Sequence, residues 1–313
     1  MSIPPIIDPV DVRLLKSELN EKTFLRRTNR GNNEIYIVNN ETAPNVLREI
    51  GRLREVSFRA VGGGSGTECD LDHFDLEDKA FFQLLVWNPE ADEIIGGYRF
   101  TRWNMASFHE NGQPYVNTEH LFDFSQEFLD DYFPHCVEMA RAFVQPKYQS
   151  AQSGRKALFA LDNLWDGIGG IIATDPSIKY LSGKVTIYSS SPEMSRKAMV
   201  YYLDICFGDR KGLITSKNPE TCTPEQAAFF KEMFTGEDYK ENYQILNNYV
   251  KSLGDVIPPL IHSYIGLSQT MKTFGTTFDP DFGDCYDTAM MITIDDIYQD
   301  KKERYIESYE DCK

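Results

Sequence analysis

Apolar and polar side chains alternate through Glu34-Ile35-Tyr36-Ile37-Val38, a period of two that predicts a β-strand. Residues 40–44 then supply helix-start chemistry ending in a proline, and Leu47, Ile50 and Leu53 give the apolar stripe of the helix that follows. Residues 81–87 and 93–100 read as two strands of a hairpin, joined by Asn88-Pro89-Glu90-Ala91-Asp92. Residues 137–144 predict the next strand, after which Leu158, Leu161, Trp165, Ile168 and Ile172 line one face of a helix. A further strand is expected over residues 184–189, and Ser191-Pro192 should start a helix with proline at its first position. Around these lie a short helical pattern over residues 10–19 within an irregular first 33 residues, and an aromatic-rich insertion over residues 104–135. A polar helical insertion over residues 218–252, a helical pattern near Tyr264 and a closing strand over residues 289–294 complete the chain. Strands interspersed with helices over the whole length predict one α/β domain with insertions.

Composition narrows the class. With 313 residues, 41% of them hydrophobic, the chain can bury a full core. No apolar run approaches the roughly 18–20 residues that span a bilayer, and the first residues lack signal-peptide character, so a cytoplasmic protein is expected. Six cysteines without a CxxC pair, and histidines without ligand spacing, predict neither a disulfide framework nor a metal site. A net charge of −16 argues against nucleic acid. Basic clusters nevertheless persist, among them Arg52, Arg54 and Arg59, and Lys147, Arg155 and Lys156; taken singly, each reads as solvated surface.

The chemistry concentrates after residue 136. Glu138 and Arg141 lie on a predicted strand that runs into a polar loop and then a helix. The free N–H groups and dipole of a helix N-terminus favour negative charge, so the loop reads as an anion cradle beside a carboxylate. Group transfer from a phosphate-bearing carrier, with Glu138 handling a proton, fits that pattern. In a regular strand, positions 138 and 141 face opposite ways, so both reach one site only where the strand bulges. Gly62-Gly63-Gly64-Ser65-Gly66 reads as a mobile loop, because no strand leads into it as a dinucleotide site requires. Asp70, Asp72 and Asp75, on spacing alone, read as a solvated acidic loop; the glycine and closing glutamate of a calcium loop are missing.

An ordered set of motifs goes further. Arg54-x-x-x-Phe58, Asp70-x-Asp72-x-x-Asp75, Gly96-Gly97-Tyr98-Arg99-Phe100 and Val137-Glu138-x-x-Arg141-x-Phe143-Val144 follow one another in the sequence. Together they resemble N-acyltransferases of the GNAT fold that take acyl groups from acyl carrier protein. Ile257-Pro258-Pro259-Leu260-Ile261-x-x-Tyr264-x-x-Leu267 and Phe278-Asp279-Pro280-Asp281-Phe282 are more similar to the ornithine-lipid and "hemolysin-like" group than to the acyl-homoserine-lactone synthases. That group also includes glycine-acylating enzymes. The resemblance spans roughly residues 46–305 and implies a GNAT-like mixed central sheet flanked by helices, with helical insertions.

The resemblance also implies roles. Glu138 would be the general base toward the attacking amine, with Arg99 beside it. Arg99 and Arg141 would hold the substrate carboxylate or organise Asp70, Asp72 and Asp75, and Arg54 and Phe58 would shape the acceptor side. Ala142, Phe143, Val144 and Gln145 would hold the pantetheine arm, with Arg155 and Lys156 near its phosphate. No tightly bound cofactor is implied; the donor is the acyl-phosphopantetheine of acyl carrier protein. The Gln/Arg-Gly-x-Gly signature of CoA-binding relatives is absent, since only Gly154 stands in the loop, which favours the carrier protein over CoA. The acceptor would be a small amino acid such as glycine or ornithine, and the acyl chain long, 3-hydroxylated or plain. A lipoamino acid product implies weak contact with the inner membrane face. The rivals are a membrane-active hemolysin-like protein, against which the absence of a strongly amphipathic basic helix speaks, and a non-catalytic acyl-binding module.

Overall fold

The computed structural model of the chain describes residues 3–77, 80–149 and 155–312, with residues 155–158 and 311 as backbone only. Two compact units emerge: Met1–Ala106, Val137–Ile178 and Tyr298–Lys313 make the first, Ser107–Cys136 and Lys179–Ile297 the second.

In chain order, α1 (Val12–Glu18) starts on Asp11, whose carboxylate accepts the Arg13 N–H, and β1 (Phe24–Arg27) and β2 (Glu34–Val38) follow. The helix α2 (Pro44–Arg59) begins on its proline, where the missing N–H costs nothing, and buries Leu47, Ile50 and Leu53 as their spacing requires. One turn, α3 (His73–Leu76), leads to the hairpin of β3 (Phe81–Asn88) and β4 (Glu93–Arg102). The hairpin closes because the Asn88 side chain accepts the Glu90 and Ala91 N–H groups, while Asp92 takes a left-handed φ of 53°. Next come β5 (Phe122–Phe124), α4 (Gln126–Asp131), β6 (Cys136–Val144) and α5 (Arg155–Thr174). The chain continues through β7 (Tyr180–Ile187), α6 (Glu193–Phe207), β8 (Ile214–Ser216), α7 (Pro224–Met233), α8 (Tyr239–Ser252) and α9 (Pro259–Ile265). It ends with β9 (Lys272–Asp279), β10 (Cys285–Thr293) and α10 (Gln299–Tyr305).

In the first unit β1, β2, β3, β4 and β6 lie side by side, each antiparallel to its neighbour. β3 is buried at every position but Phe82, as expected of a strand covered on both faces. Of the stripe read for α5, Trp165, Ile168 and Ile172 are buried, Leu161 is half-buried and the Leu158 side chain lies outside the described residues; Leu164 is buried beside them. In the second unit β10 pairs with β7 on one side and β9 on the other, all antiparallel, and β5 pairs with β8.

Several boundaries differ from the sequence reading. β7 begins at Tyr180 rather than residue 184, and Pro192 is the N-cap of α6 instead of its first helical residue. Residues 218–223 are not helical, so the expected helical insertion is confined to α7 and α8. β1, inside the stretch read as irregular, and the threonine-rich β9 were not anticipated. The glycine run between α2 and α3 is tied down: Ser65 donates to Glu55 at 3.0 Å, and Arg59 donates to the Thr67 carbonyl at 2.6 Å.

Candidate active site

The site is built where β4 meets β6. Thr101 pairs with Glu138 and Arg99 with Ala140, but Gly97 pairs with Phe143, so Arg141 and Ala142 together face the single residue Tyr98. This is a β-bulge, and Arg141 sits in it with a left-handed φ of 51°. The extra residue undoes the alternation: Arg141 turns to the face already occupied by Glu138 and Arg99. Its Nε lies 3.6 Å from Asp70 Oδ2 and its Nη2 3.6 Å from Asp72 Oδ2. The condition that the odd spacing imposed is therefore met. Gly96 permits the close approach of the two strands, since a Cβ there would fall 2.4 Å from the Phe143 carbonyl oxygen.

Around the bulge, three guanidinium groups meet three carboxylates. Arg54 on α2 contacts Asp70 through Nε at 3.1 Å and grips Asp75 with Nη1 at 3.1 Å and Nη2 at 3.3 Å. Arg99 reaches Asp72 at 2.7 Å and Asp75 at 3.1 Å, and lies over the rings of Phe74 and Phe81. Asp72 also caps α3, accepting the Phe74 and Asp75 N–H groups, while its own N–H donates to Asp75. The reading of Asp70, Asp72 and Asp75 as a solvated loop is corrected here: Asp70 and Asp75 are buried, and Arg54, read as surface, is wholly buried. Each ion carries a desolvation cost that only its partners offset, so the cluster stands or falls as a unit. Burial pushes the Asp70 carboxyl up, but Arg141, Arg54 and Arg99 outweigh it and hold that group below the usual carboxylate range. Asp72 is held low in the same way, against burial, chiefly by Arg99. Burial alone would lower Arg99, yet Asp75 and Asp72 raise it above the ordinary arginine value.

Two further contributors carry no distinctive signal in the sequence. Gln83, paired with Arg99 across β3 and β4, donates to Asp75 at 2.8 Å. Trp103, at the end of β4, donates its indole N–H to Glu138 Oε2 at 3.1 Å. Glu138 is 1% exposed, a buried carboxylate on the same strand face as the cluster. An amide and an indole in apolar runs read as core residues; only the carboxylates they face mark them out.

The family described as the acetyltransferase (GNAT) domain matches residues 53–157, a span that contains every candidate site residue from Arg54 to Lys156. A glycine N(alpha)-acyltransferase of Phocaeicola vulgatus is 45% identical over 304 residues, covering 97% of this chain and 93% of its own. Another from Bacteroides thetaiotaomicron is 46% identical over 307 residues, covering 97% and 90%. The chain belongs to this family of GNAT-fold N-acyltransferases. A CoA-dependent acyl-homoserine lactone synthase, solved with SAM and isopentyl-CoA, is matched over 88% of this chain and 89% of its own, at 11% identity and a TM-score of 0.36. The expected GNAT-like mixed sheet flanked by helices is the architecture found, and the chain is an acyltransferase.

In this N-acyltransferase the residues expected at the acyl donor follow the bulge. Phe143 is buried beside Gly97, and the Gln145 N–H donates to the Ile95 carbonyl at 2.9 Å, extending the strand contact past Val144. Beyond them Tyr148 and Lys147 both engage Glu93, and Asn88 donates to the Tyr148 hydroxyl at 3.0 Å. Burial and the Glu93 carboxylate push the Tyr148 phenol up to about 12. This corner fastens the loop after β6 to the hairpin. Lys147, expected at an anion cradle, is thus ion-paired within the fold. α5 begins at Arg155, while the Arg155 and Lys156 side chains, Gly154 and the rest of residues 150–154 lie outside the described residues. Phe58 is buried on α2 next to Gly64 of the glycine run.

Proposed function

We propose that the chain transfers a long-chain acyl group from acyl carrier protein to the amine of glycine, giving an N-acylglycine. The observation that carries this reading is the bulge at Arg141, which puts a partly exposed guanidinium on the same face as the buried Glu138. Glu138 takes a proton from the glycine ammonium, and the freed amine attacks the thioester carbonyl. The C–N bond forms and the C–S bond breaks; the nitrogen gives up its second proton, which the departing pantetheine thiolate takes, and the proton held by Glu138 passes to solvent.

Arg141 binds the acceptor carboxylate. Its ion pairs are long, at 3.6 Å, and its side chain is 21% exposed, so it has reach that the wholly buried Arg99 lacks. Arg99, wholly buried and holding both Asp72 and Asp75 through Nη1, organises the cluster instead. Glycine rather than ornithine is taken as the acceptor because the two relatives are named for glycine. The carrier-protein donor rests on the missing CoA signature in the loop after β6. Weak contact with a membrane face follows from the product's chemistry; no helix among the described residues is long and apolar enough to cross a bilayer.

The test supplies purified protein with acyl carrier protein or CoA thioesters and with glycine or ornithine, and reads products by mass spectrometry. N-acylglycine formed from the carrier-protein donor, and lost in Glu138→Gln, is expected. Failure to acylate either amino acid overturns the acceptor reading, and undiminished transfer in Glu138→Gln removes Glu138 as the base.

A further inference from the structure

Trp103 is wholly buried, and its one polar atom lies 3.1 Å from Glu138 Oε2. An indole N–H can only donate, so its partner must be an acceptor; a backbone carbonyl would serve packing equally well. Here the acceptor is the carboxylate at the centre of the site. The chain geometry enforces the choice. Arg102 pairs with Val137 across the strands and is anchored by Asp175 at 2.8 Å, and the 3-10 turn Trp103–Met105 begins at the next residue. That turn ends the strand and leaves the ring beside Glu138.

We propose that Trp103 is a positioning residue that clamps one carboxylate oxygen of Glu138 and so fixes the direction from which the acceptor proton is taken. This rests on Glu138 being the general base. The terminal torsion of a glutamate is broad, and a single strong donor at one oxygen confines it. This confinement does not require Trp103 to touch substrate.

Trp103→Phe keeps an aromatic ring and removes the donor. The expected result is kcat lower by about tenfold, the scale of one hydrogen bond to a charged group, with KM for glycine within about twofold. A loss confined to kcat, with KM and the unfolding midpoint held, is what a packing role would not give. Introducing 3-benzothienylalanine at position 103 replaces the N–H by sulfur within the same bicyclic outline, and it should reproduce the loss if Trp103→Phe is poorly folded. In a Glu138→Gln background the Trp103 change should have no further effect on rate. A folded benzothienyl variant with full kcat overturns the clamp while leaving Glu138 as base. Undiminished activity in Glu138→Gln alone overturns the base and the clamp with it.

Discussion

Arg54 and Asp75 form a two-pronged ion pair, Nη1 to Oδ1 at 3.1 Å and Nη2 to Oδ2 at 3.3 Å, with both side chains entirely removed from solvent. Asp75 is also the acceptor for Arg99 and Gln83, so this one carboxylate joins α2, β3 and β4. Arg54→Met would leave Asp70 and Asp75 buried with less positive charge to face. Breaking a buried pair from one side costs about 3–5 kcal/mol, and a loss of that order is expected in urea unfolding of the variant. A loss below about 1 kcal/mol, the scale of an exposed pair, would contradict the burial described here.

The same cluster sets the response to acid. Asp70 and Asp72 have folded-state pKa values below the ordinary 3.8, so they bind protons less readily in the folded chain than in the unfolded one. Their contribution is present in full above the ordinary carboxylate range and is lost as pH falls through it toward their folded values. Urea midpoints measured from about pH 7 down to about pH 3 should therefore fall more steeply for the native chain than for Asp72→Asn. Parallel curves would show that Asp72 is not held by Arg99 and Arg141 in solution.

Much of this was legible in advance, for identifiable reasons. The period of apolar side chains located β2 and α5, while the β3–β4 hairpin was marked by two apolar runs either side of turn residues. β1 and β9 escaped because their inward positions are polar. Arg26 is fully buried and bonds backbone carbonyls of Asp166 and Tyr305, and Thr276 and Thr288 share a hydroxyl hydrogen bond at 2.7 Å between β9 and β10. Such strands are specified by their partners rather than by hydrophobic alternation. The bulge was legible as a condition, since positions 138 and 141 demanded it, while the αL conformation of Arg141 has no signature in its own residue type. Burial of Asp70 and Asp75 was invisible locally: three aspartates read as solvated until Arg54 and Arg99, distant in sequence, are brought against them.

Gly96 tests whether the close approach of β4 and β6 matters to catalysis. A methyl group there would sit 2.4 Å from the Phe143 carbonyl oxygen and 3.1 Å from Val144 Cα, so the backbone itself has to move. Gly96→Ala should cost about 1–3 kcal/mol of stability. It should also lower kcat/KM by at least about tenfold, because small displacements of a positioned reacting group are expensive in rate. Thermal unfolding together with steady-state kinetics checks both; a variant as stable and active as the native chain would mean that the strands separate without consequence.

Arg141 carries the sharpest consequence of the bulge. A lysine in its place keeps the positive charge beside Asp70 and Asp72 but loses the planar fork that meets a carboxylate with two parallel hydrogen bonds. The native contacts are 3.6 Å long and the side chain is partly exposed, so stability should change by less than about 1 kcal/mol. KM for glycine should rise by about tenfold or more, whereas KM for the acyl donor should stay nearly constant. Glycinamide, which keeps the amine and lacks the carboxylate, separates recognition from chemistry: the native chain should use it poorly, and Arg141→Lys should use it no worse than the native chain does. Equal discrimination between glycine and glycinamide in both proteins would remove Arg141 from acceptor binding and return that role to another cation of the cluster.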